Sequence, residues 1–164
     1  MKRPATLKRL ARTKRGGLSL RLRKGEKREV RAQFAALCWK RDDDGKIRVC
    51  LVTSRMTQRW ILPKGWPMAD KTPSQAAAIE AWEEAGLVGI VSEHCLGVYS
   101  DRKVLPTRRL PVVVMVYPLE VTEEHDVFPE HTQRTRAWMS RRKAAKRVPD
   151  PLLAKIVREF DPST

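Results

Sequence analysis

The sequence predicts an α+β protein in which helices flank a mixed β-sheet. Apolar runs of strand length occur both as a hairpin and on either side of a helix, a pattern typical of that class. One predicted helix has capping residues at both of its ends. The sequence contains no internal repeat. At 164 residues the chain is expected to fold as one domain.

The first predicted elements form a hairpin. Residues 30–39 (VRAQFAALCW) are apolar on both alternating faces, as in a strand that is buried on two sides. Residues 42–45 (DDDG) predict a turn, and residues 46–53 (KIRVCLVT) predict the partner strand. Because the three aspartates precede a glycine between two strands, we interpret them as a solvated turn rather than a metal site.

A loop leads from this hairpin to a helix at about residues 73–85. Thr72 suits the N-cap, Pro73 suits the first helical position, and Gln75 completes a capping box. Gly86 stands where a C-cap glycine belongs.

The second half of the chain predicts further strands and two shorter helices. Residues 110–121 predict a buried strand, and residues 95–100 are interpreted as another. Residues 134–138 lead into a helix at about 140–147. A last helix begins after an Asp-Pro pair, and its apolar stripe consists of Leu152, Leu153, Ile156, Val157 and Phe160.

Positive charge is concentrated near the N-terminus. The formal net charge is +15, of which residues 1–31 carry +11, with 13 Lys/Arg against two acids. We therefore divide the chain into a flexible basic arm at 1–28 and a folded domain at 29–164. Three interpretations of the arm stay open: a solvated tail, a contact with nucleic acid or the ribosome, and a targeting peptide.

Two classes of protein are excluded by composition. The longest apolar run, residues 111–119, is far shorter than the roughly 20 residues that a membrane span needs. The three cysteines are odd in number and show no CxxC spacing, which argues against a disulfide scaffold. We therefore expect a cytoplasmic protein with no membrane partner, while the sequence does not determine the oligomeric state.

The predicted helix at 73–85 carries an acidic face. Glu80, Glu83 and Glu84 stand at i, i+3 and i+4, so they share an arc of about 100°. Carboxylate oxygens are the ligands that Mg²⁺ and Mn²⁺ prefer. By spacing alone, a solvated acidic helix face remains the more common explanation.

The flanks of this helix change that interpretation. Residues 65–87 resemble the Nudix box, G-x5-E-x7-R-E-U-x-E-E-x-G-U, in which U is a bulky apolar residue. Gly65, Gly86 and the three glutamates all fall in register over these 23 residues. Within residues 54–65, the segments 54–55, 59–60 and 62–65 resemble the approach to the box in members similar to diphosphoinositol polyphosphate phosphohydrolases. Residues 134–140 resemble the strand and turn that usually follow the central sheet in this family. The resemblance to the Nudix hydrolase family covers about residues 30–160.

The resemblance implies an α/β/α sandwich around a mixed sheet, and hydrolysis of a diphosphate linked to another moiety. It also implies that Glu80, Glu83, Glu84 and the carbonyl of Gly65 bind Mg²⁺, with Mn²⁺ as the alternative. Glu83 or Glu84 is the catalytic base expected to activate the attacking water.

Cations near the box are the expected ligands of an anionic, phosphate-rich substrate. Arg55, Arg59 and Lys64 stand in the loop that leads to the box, so they are the best candidates for binding substrate phosphates. A second basic group, in a predicted loop, comprises Arg102, Lys103, Arg108 and Arg109.

Two residues depart from the box. Lys71 replaces its first glutamate, in the loop, and Ile79 replaces its arginine. An arginine at this position would orient the glutamates through charge-assisted hydrogen bonds, which isoleucine cannot make. Three explanations stay open: another basic group substitutes, the metal alone holds the cluster, or catalysis is impaired. We expect reduced but present activity.

Three functional hypotheses follow. The leading one is a Mg²⁺-dependent hydrolase that cleaves a phosphoanhydride bond in a highly anionic nucleotide or inositol-type polyphosphate, such as a dinucleoside polyphosphate. A second keeps the chemistry but takes the 5′ end of RNA as substrate, with the arm binding the strand. A third is a non-catalytic Nudix fold that acts as a nucleic-acid-binding module.

Overall fold

Helices cover both faces of a mixed ten-stranded sheet in this computed structural model, which describes residues 10–12, 18–21, 29–107 and 109–164. The helices are α1 (Pro73–Ala85), α2 (Arg141–Arg147) and α3 (Pro151–Glu159). The strands are β1 (Leu10–Arg12), β2 (Leu18–Arg21), β3 (Glu29–Arg41), β4 (Ile47–Thr53), β5 (Trp60–Ile61), β6 (Lys64–Gly65), β7 (Leu87–Val91), β8 (Gly97–Val104), β9 (Arg109–Glu124) and β10 (Arg136–Ser140).

The centre of the sheet is the parallel pair β3 and β9, in which residues 31–39 face residues 112–120. Both strands are covered on two faces, which explains the apolar character of residues 30–39 on both alternating sides. β4 and β6 pair antiparallel with β3, and β10 pairs antiparallel with β4. β7 and β8 pair antiparallel with β9.

Each face of the sheet has its own core. On one face, four alanines of α1 let the helix lie close to Phe34 and Leu119 of the sheet. On the other face, Leu153 and Val157 of α3 pack with Leu37 of β3, together with buried alanines of α2. The predicted α+β class and α/β/α sandwich are therefore confirmed.

The helix α1 has the predicted bounds, and its ends show why. The Thr72 side chain accepts a hydrogen bond from the Gln75 amide, while the Thr72 amide donates to the Gln75 side chain. Gly86 adopts the left-handed conformation with φ 67°, and a Cβ there would also lie only 2.4 Å from the Phe128 ring.

The structure corrects the predicted position of the second basic group. Arg102 and Lys103 lie on β8 and Arg109 lies on β9, within a ladder that continues to the pair Val104 and Arg109. They are therefore held on a hairpin rather than in a loop, whereas residue 108 lies outside the described residues.

Two other expectations also change. The strand β7 was not predicted, because its alternating burial includes the exposed apolar side chains of Val88 and Ile90. In α3 the apolar stripe is narrower than expected, since Leu152 is 55% exposed in the first turn.

The predicted arm at 1–28 contains two short described strands, of which β2 pairs with β3. The rest of that arm lies outside the described residues, so its flexibility stays a prediction. Within the part of the chain that the structure describes, no helix is long and apolar enough to cross a membrane. Cys38, Cys50 and Cys95 are free thiols.

Candidate active site

Gly65 and Glu80 meet at a contact that leaves no room for a side chain. Pairing of β6 with Phe34 and Ala35 of β3 places Gly65 beside α1. A Cβ added to Gly65 would lie 2.0 Å from Glu80 Oε1 and 2.8 Å from Oε2. Glycine is therefore needed at this position so that the Glu80 carboxylate can lie against the backbone.

Glu84, one turn further along α1, reaches the same strand. Its Oε2 accepts a hydrogen bond from the Lys64 amide at 3.3 Å. Glu80 and Glu84 are both buried, at 9% and 7% exposed. The structure thus brings two predicted metal ligands, Glu80 and Glu84, to the backbone of residues 64–65.

Glu83 differs from these two glutamates in its surroundings. It is half-buried, and its backbone carbonyl accepts a hydrogen bond from the Glu130 amide at 3.0 Å. Its carboxylate makes no hydrogen bond or ion pair with any described residue. Of the two predicted bases, Glu83 is therefore the one that remains available to a water molecule.

Arg134 is a buried cation at the centre of the site. Its side chain is only 6% exposed, and it donates to Glu84 Oε1 at 2.9 Å and to Glu130 Oε2 at 2.7 Å. A third hydrogen bond, at 2.9 Å, goes to the backbone carbonyl of Thr53. These three bonds fix the guanidinium in one orientation beside the glutamates.

Sequence reasoning did not identify Arg134 or Glu130. Arg134 stands 50 residues after Glu84, so no local spacing connects the two. The one available signal was the resemblance of residues 134–140 to the strand that follows the central sheet, and it marked no individual side chain.

Burial and like charge change the acidity of the glutamates. Burial, together with the charges of Glu83 and Glu130, raises the pKa of Glu80 to about 7. Burial likewise raises the pKa of Glu84 to about 8, with Arg134 acting in the opposite direction. The cluster is therefore a concentration of carboxylates that a bound cation would stabilise in the ionised form.

The donor set fits a hard divalent cation. Two carboxylates lie beside the Gly65 backbone, and a third stands on the same helix face. Among the described residues, no three His, Cys, Asp or Glu side chains are already gathered around one metal position. Glu80, Glu84 and the Gly65 backbone are therefore the groups that would hold such a cation.

The three predicted phosphate ligands line one cavity with Glu84. This cavity has a volume of about 180 Å³, and its cations are Arg55, Arg59, Lys64, Arg102, Lys103 and Arg134. A larger cleft of about 720 Å³ shares Thr57, Arg59, Asp101 and Arg102 with it, so the two form one continuous opening.

The three predicted ligands are not equally available. Lys64 is held by Gln33 at 2.7 Å and by Asp101 at 3.0 Å, and its side chain is 11% exposed. Arg55 pairs with Glu130 at 3.2 Å but is half exposed. The Arg59 side chain bonds to the Thr57 hydroxyl and has no acidic partner among the described residues.

Lys103 joins this group of cations. Burial, together with the charges of Lys64 and Arg55, lowers the pKa of its ammonium group. Such a convergence of positive charge is favourable only when an anion, or the glutamates opposite, balances it. Lys71, by contrast, is exposed in the loop before α1, away from these groups.

Known proteins resemble this chain in sequence. The profile of the NUDIX domain matches residues 31–160. Nudix hydrolase 13, mitochondrial, of Arabidopsis thaliana is 30% identical over 125 residues, which are 73% of this chain and 62% of the relative. Diphosphoinositol polyphosphate phosphohydrolase 3-alpha of Homo sapiens is 31% identical over 114 residues, 68% of this chain and 65% of the relative. The chain thus spans less than two thirds of the length of either relative.

A solved structure shares the fold. An Ap4A hydrolase of C. elegans, in a binary complex, superposes with a TM-score of 0.59 at 19% identity, over 79% of this chain and 93% of that one. At this identity the likeness shows a common architecture, which agrees with the sandwich described above.

Proposed function

Because the chain belongs to the NUDIX family, we propose that it is a Mg²⁺-dependent hydrolase that cleaves a phosphoanhydride bond in a highly anionic nucleotide or inositol-type polyphosphate. The observation that carries this proposal is the arrangement at the cleft. Glu84, with Glu80 beside Gly65, lies on one side, and unpaired or half-exposed cations lie on the other.

The substrate class follows from charge and size. The side-chain nitrogens of Arg59, Arg102 and Lys103 have no carboxylate oxygen within 4 Å among the described residues, so their charges remain available to phosphates. The adjoining cleft of about 720 Å³ has room for a group beyond the phosphates. The names of the relatives, one acting on diphosphoinositol polyphosphate and one on Ap4A, support a small polyphosphate.

The metal, held by Glu80, Glu84 and the Gly65 carbonyl, would supply charge neutralisation at the phosphates and acidify a bound water. The chain's own groups then have separate roles. Arg59 and Lys103 bind and orient the phosphates, while Glu83, whose carboxylate has no other partner among the described residues, accepts the proton of the attacking water.

Arg134 takes the place of the missing box arginine as a positioning residue. It bonds directly to Glu84 from the far side of the site, whereas Ile79 offers no such bond. Of the three explanations for Ile79, the geometry favours substitution by another basic group. The proposed activity therefore does not require an arginine at position 79.

A substrate panel tests the proposal. Purified protein with Mg²⁺ is assayed for phosphate or pyrophosphate release from nucleoside diphosphate derivatives, dinucleoside polyphosphates, inositol pyrophosphates and triphosphorylated RNA. We expect release from at least one small polyphosphate, and its loss in Glu84→Gln. Turnover that is unchanged in Glu84→Gln would contradict the proposed site. Turnover of RNA alone would establish the alternative in which the 5′ end is the substrate.

A further inference from the structure

A second group of cations surrounds a groove at the opposite end of the β4–β10 ladder from the glutamates. The groove has a volume of about 510 Å³ and lies between the β3–β4 turn, the start of α2 and the last turn of α3. No carboxylate lines it within the described residues. Its cations are Arg41, Lys46, Arg141, Arg142 and Arg158.

These five cations lack ion-pair partners. No side-chain nitrogen of the five has a carboxylate oxygen within 4 Å in the described part of the chain, whereas Arg48, beside the groove, is paired with Asp42 at 2.9 Å. Two acids lie near the group. Asp161, which is exposed, interacts with Arg141 and Arg41 through its charge, and Asp42 accepts a hydrogen bond from the Lys46 amide at 2.8 Å but is paired with Arg48, so positive charge remains in excess. These like charges repel one another, and a bound polyanion would relieve that repulsion.

Two of the five are also held in place. Arg41 donates to the Gly45 carbonyl at 3.1 Å, and Arg141 donates to the Phe160 carbonyl. Bonds to neutral backbone atoms leave their charges uncompensated while limiting their motion. The other three, Lys46, Arg142 and Arg158, make no side-chain hydrogen bond with a described residue.

The groove is separate from the catalytic cleft. Along β10, Arg136 faces Val52 near the glutamates, and Ser140 faces Arg48 near the groove. Four residues of strand separate these positions by about 13 Å. Among the described residues, the groove also shares no lining residue with the cleft, so the two are built from separate side chains.

We propose that this groove binds a nucleic-acid strand through its phosphates. Five cations exceed the charge of about −2 that one phosphate group carries, so several phosphates are needed to balance them. No aromatic side chain among the described residues lines the groove, so the contact does not involve base stacking and is independent of sequence. A concave wall suits a linear chain better than the flat surface of a bilayer.

The test is fluorescence anisotropy with a short labelled single-stranded oligonucleotide that lacks a 5′ triphosphate, in EDTA, across a range of NaCl concentrations. The full chain is compared with a triple variant, Lys46→Gln, Arg142→Gln and Arg158→Gln. Because these side chains form no hydrogen bond with a described residue, the melting temperature should be unchanged. We expect weaker binding and a plot of log K against log[NaCl] that is less steep by about 2, because each phosphate that is no longer neutralised removes about 0.7 from the slope.

Single variants supply the matched control. Arg142→Gln and Lys71→Gln each remove one exposed cation, the first in the groove and the second before α1. We expect the slope to change by about 0.7 only for Arg142→Gln.

Three results would overturn the proposal. The triple variant could bind the oligonucleotide with the affinity and slope of the native chain, which would assign binding to another surface such as residues 1–28. It could lose binding to anionic lipid vesicles but keep binding to the oligonucleotide, which would make the groove a membrane contact. It could lose hydrolysis of the small substrate, which would make the groove part of the catalytic site.

Discussion

At residue scale, the absence of a side chain at Gly65 leaves the space that the Glu80 carboxylate occupies. We predict that Gly65→Ala displaces Glu80, because the new Cβ would lie 2.0 Å from its Oε1. The expected result is weaker Mg²⁺ binding by calorimetry and a fall in kcat of about 100-fold, since small displacements at a reacting centre have effects of that order.

A second glycine supplies the control for that experiment. Gly45, in the β3–β4 turn, has φ 74° but nothing within 4 Å of an added Cβ. Gly45→Ala should therefore reduce the free energy of unfolding by about 1 kcal/mol and leave Mg²⁺ binding unchanged. Equal effects of both substitutions on metal binding would show that general strain, not contact with Glu80, is responsible.

Arg134 and position 79 form a second residue-scale test. We predict that Ile79→Arg changes kcat little in the native background, because Arg134 already bonds to Glu84 at 2.9 Å. Arg134→Gln should lower kcat and shift the pH profile, since Glu84 loses its cationic partner, and added Ile79→Arg should restore part of the rate. Steady-state kinetics over a pH range measures this cycle, with Arg134→Lys as the conservative control. An equal gain from Ile79→Arg in both backgrounds would contradict the role given to Arg134.

The acidity of the glutamates predicts how the metal-free protein responds to pH. The pKa values of Glu80 and Glu84 are raised to about 7 and about 8, above the value of roughly 4.3 expected in the unfolded chain. Between the unfolded and the folded pKa values, the folded state therefore binds more protons than the unfolded chain. The free energy of unfolding must then fall as pH rises from about 5 to 8. Urea unfolding in EDTA should show a loss of a few kcal/mol over this range.

Glu80→Gln with Glu84→Gln is the control for this pH dependence, since neither amide titrates. We expect that double variant to show a flatter dependence, and Mg²⁺ to restore the stability of the native chain at pH 8. A free energy of unfolding that rises between pH 5 and 8 in the metal-free native chain would contradict the assignment.

At element scale, α1 shows what local sequence determines. Its bounds follow from Thr72, Pro73, Gln75 and Gly86, all within one turn of an end, and the structure reproduces them to the residue. We predict that Thr72→Ala reduces the free energy of unfolding by about 1 kcal/mol, because the Gln75 amide loses the hydrogen bond that it donates to the Thr72 hydroxyl. Urea unfolding measures this change, and Thr132→Ala is the control, because Thr132 is exposed and its side chain forms no hydrogen bond with a described residue. An unchanged free energy would show that packing of the alanine face alone holds the helix.

The elements that sequence reasoning missed depend on distant partners. The strand β7 needs Gly89, where a Cβ would lie 1.9 Å from the Glu120 carbonyl oxygen, so its place is set by β9 and not by its own pattern. Arg102 and Lys103 are extended because they pair with β9 across a hairpin. The glutamates and Gly65 were predicted from the motif. Arg134 was not, because it reaches Glu84 through the long-range pairing of β10 with β4, which no local motif indicates.

At the scale of the whole molecule, the folded domain has two separate basic surfaces, the cleft and the groove. The net charge of +15 belongs mostly to residues 1–31, yet the folded domain also holds cations at the cleft and at the groove. The cleft cations lie next to buried glutamates, while the groove cations face no acid that lines the groove among the described residues. Salt should therefore weaken oligonucleotide binding much more steeply than hydrolysis of a small substrate.

Ionic strength gives a direct check at this scale. We predict that kcat is nearly independent of NaCl between low and physiological concentrations, whereas the oligonucleotide dissociation constant rises by more than tenfold. Parallel titrations of both quantities with one protein preparation measure this difference. Equal salt dependence would indicate that both ligands use the same surface.

In the proposed function, the glutamates of α1 perform Mg²⁺-dependent hydrolysis, with Glu83 as the base. The most direct measurement is the rate of phosphate release by Glu83→Gln and by the native chain, with Mg²⁺ and with EDTA, on a substrate found in the panel. We predict a Mg²⁺-dependent rate that falls by about 100-fold or more in Glu83→Gln while the melting temperature is retained. A rate that persists in EDTA, or is equal in the two proteins, would contradict the claim.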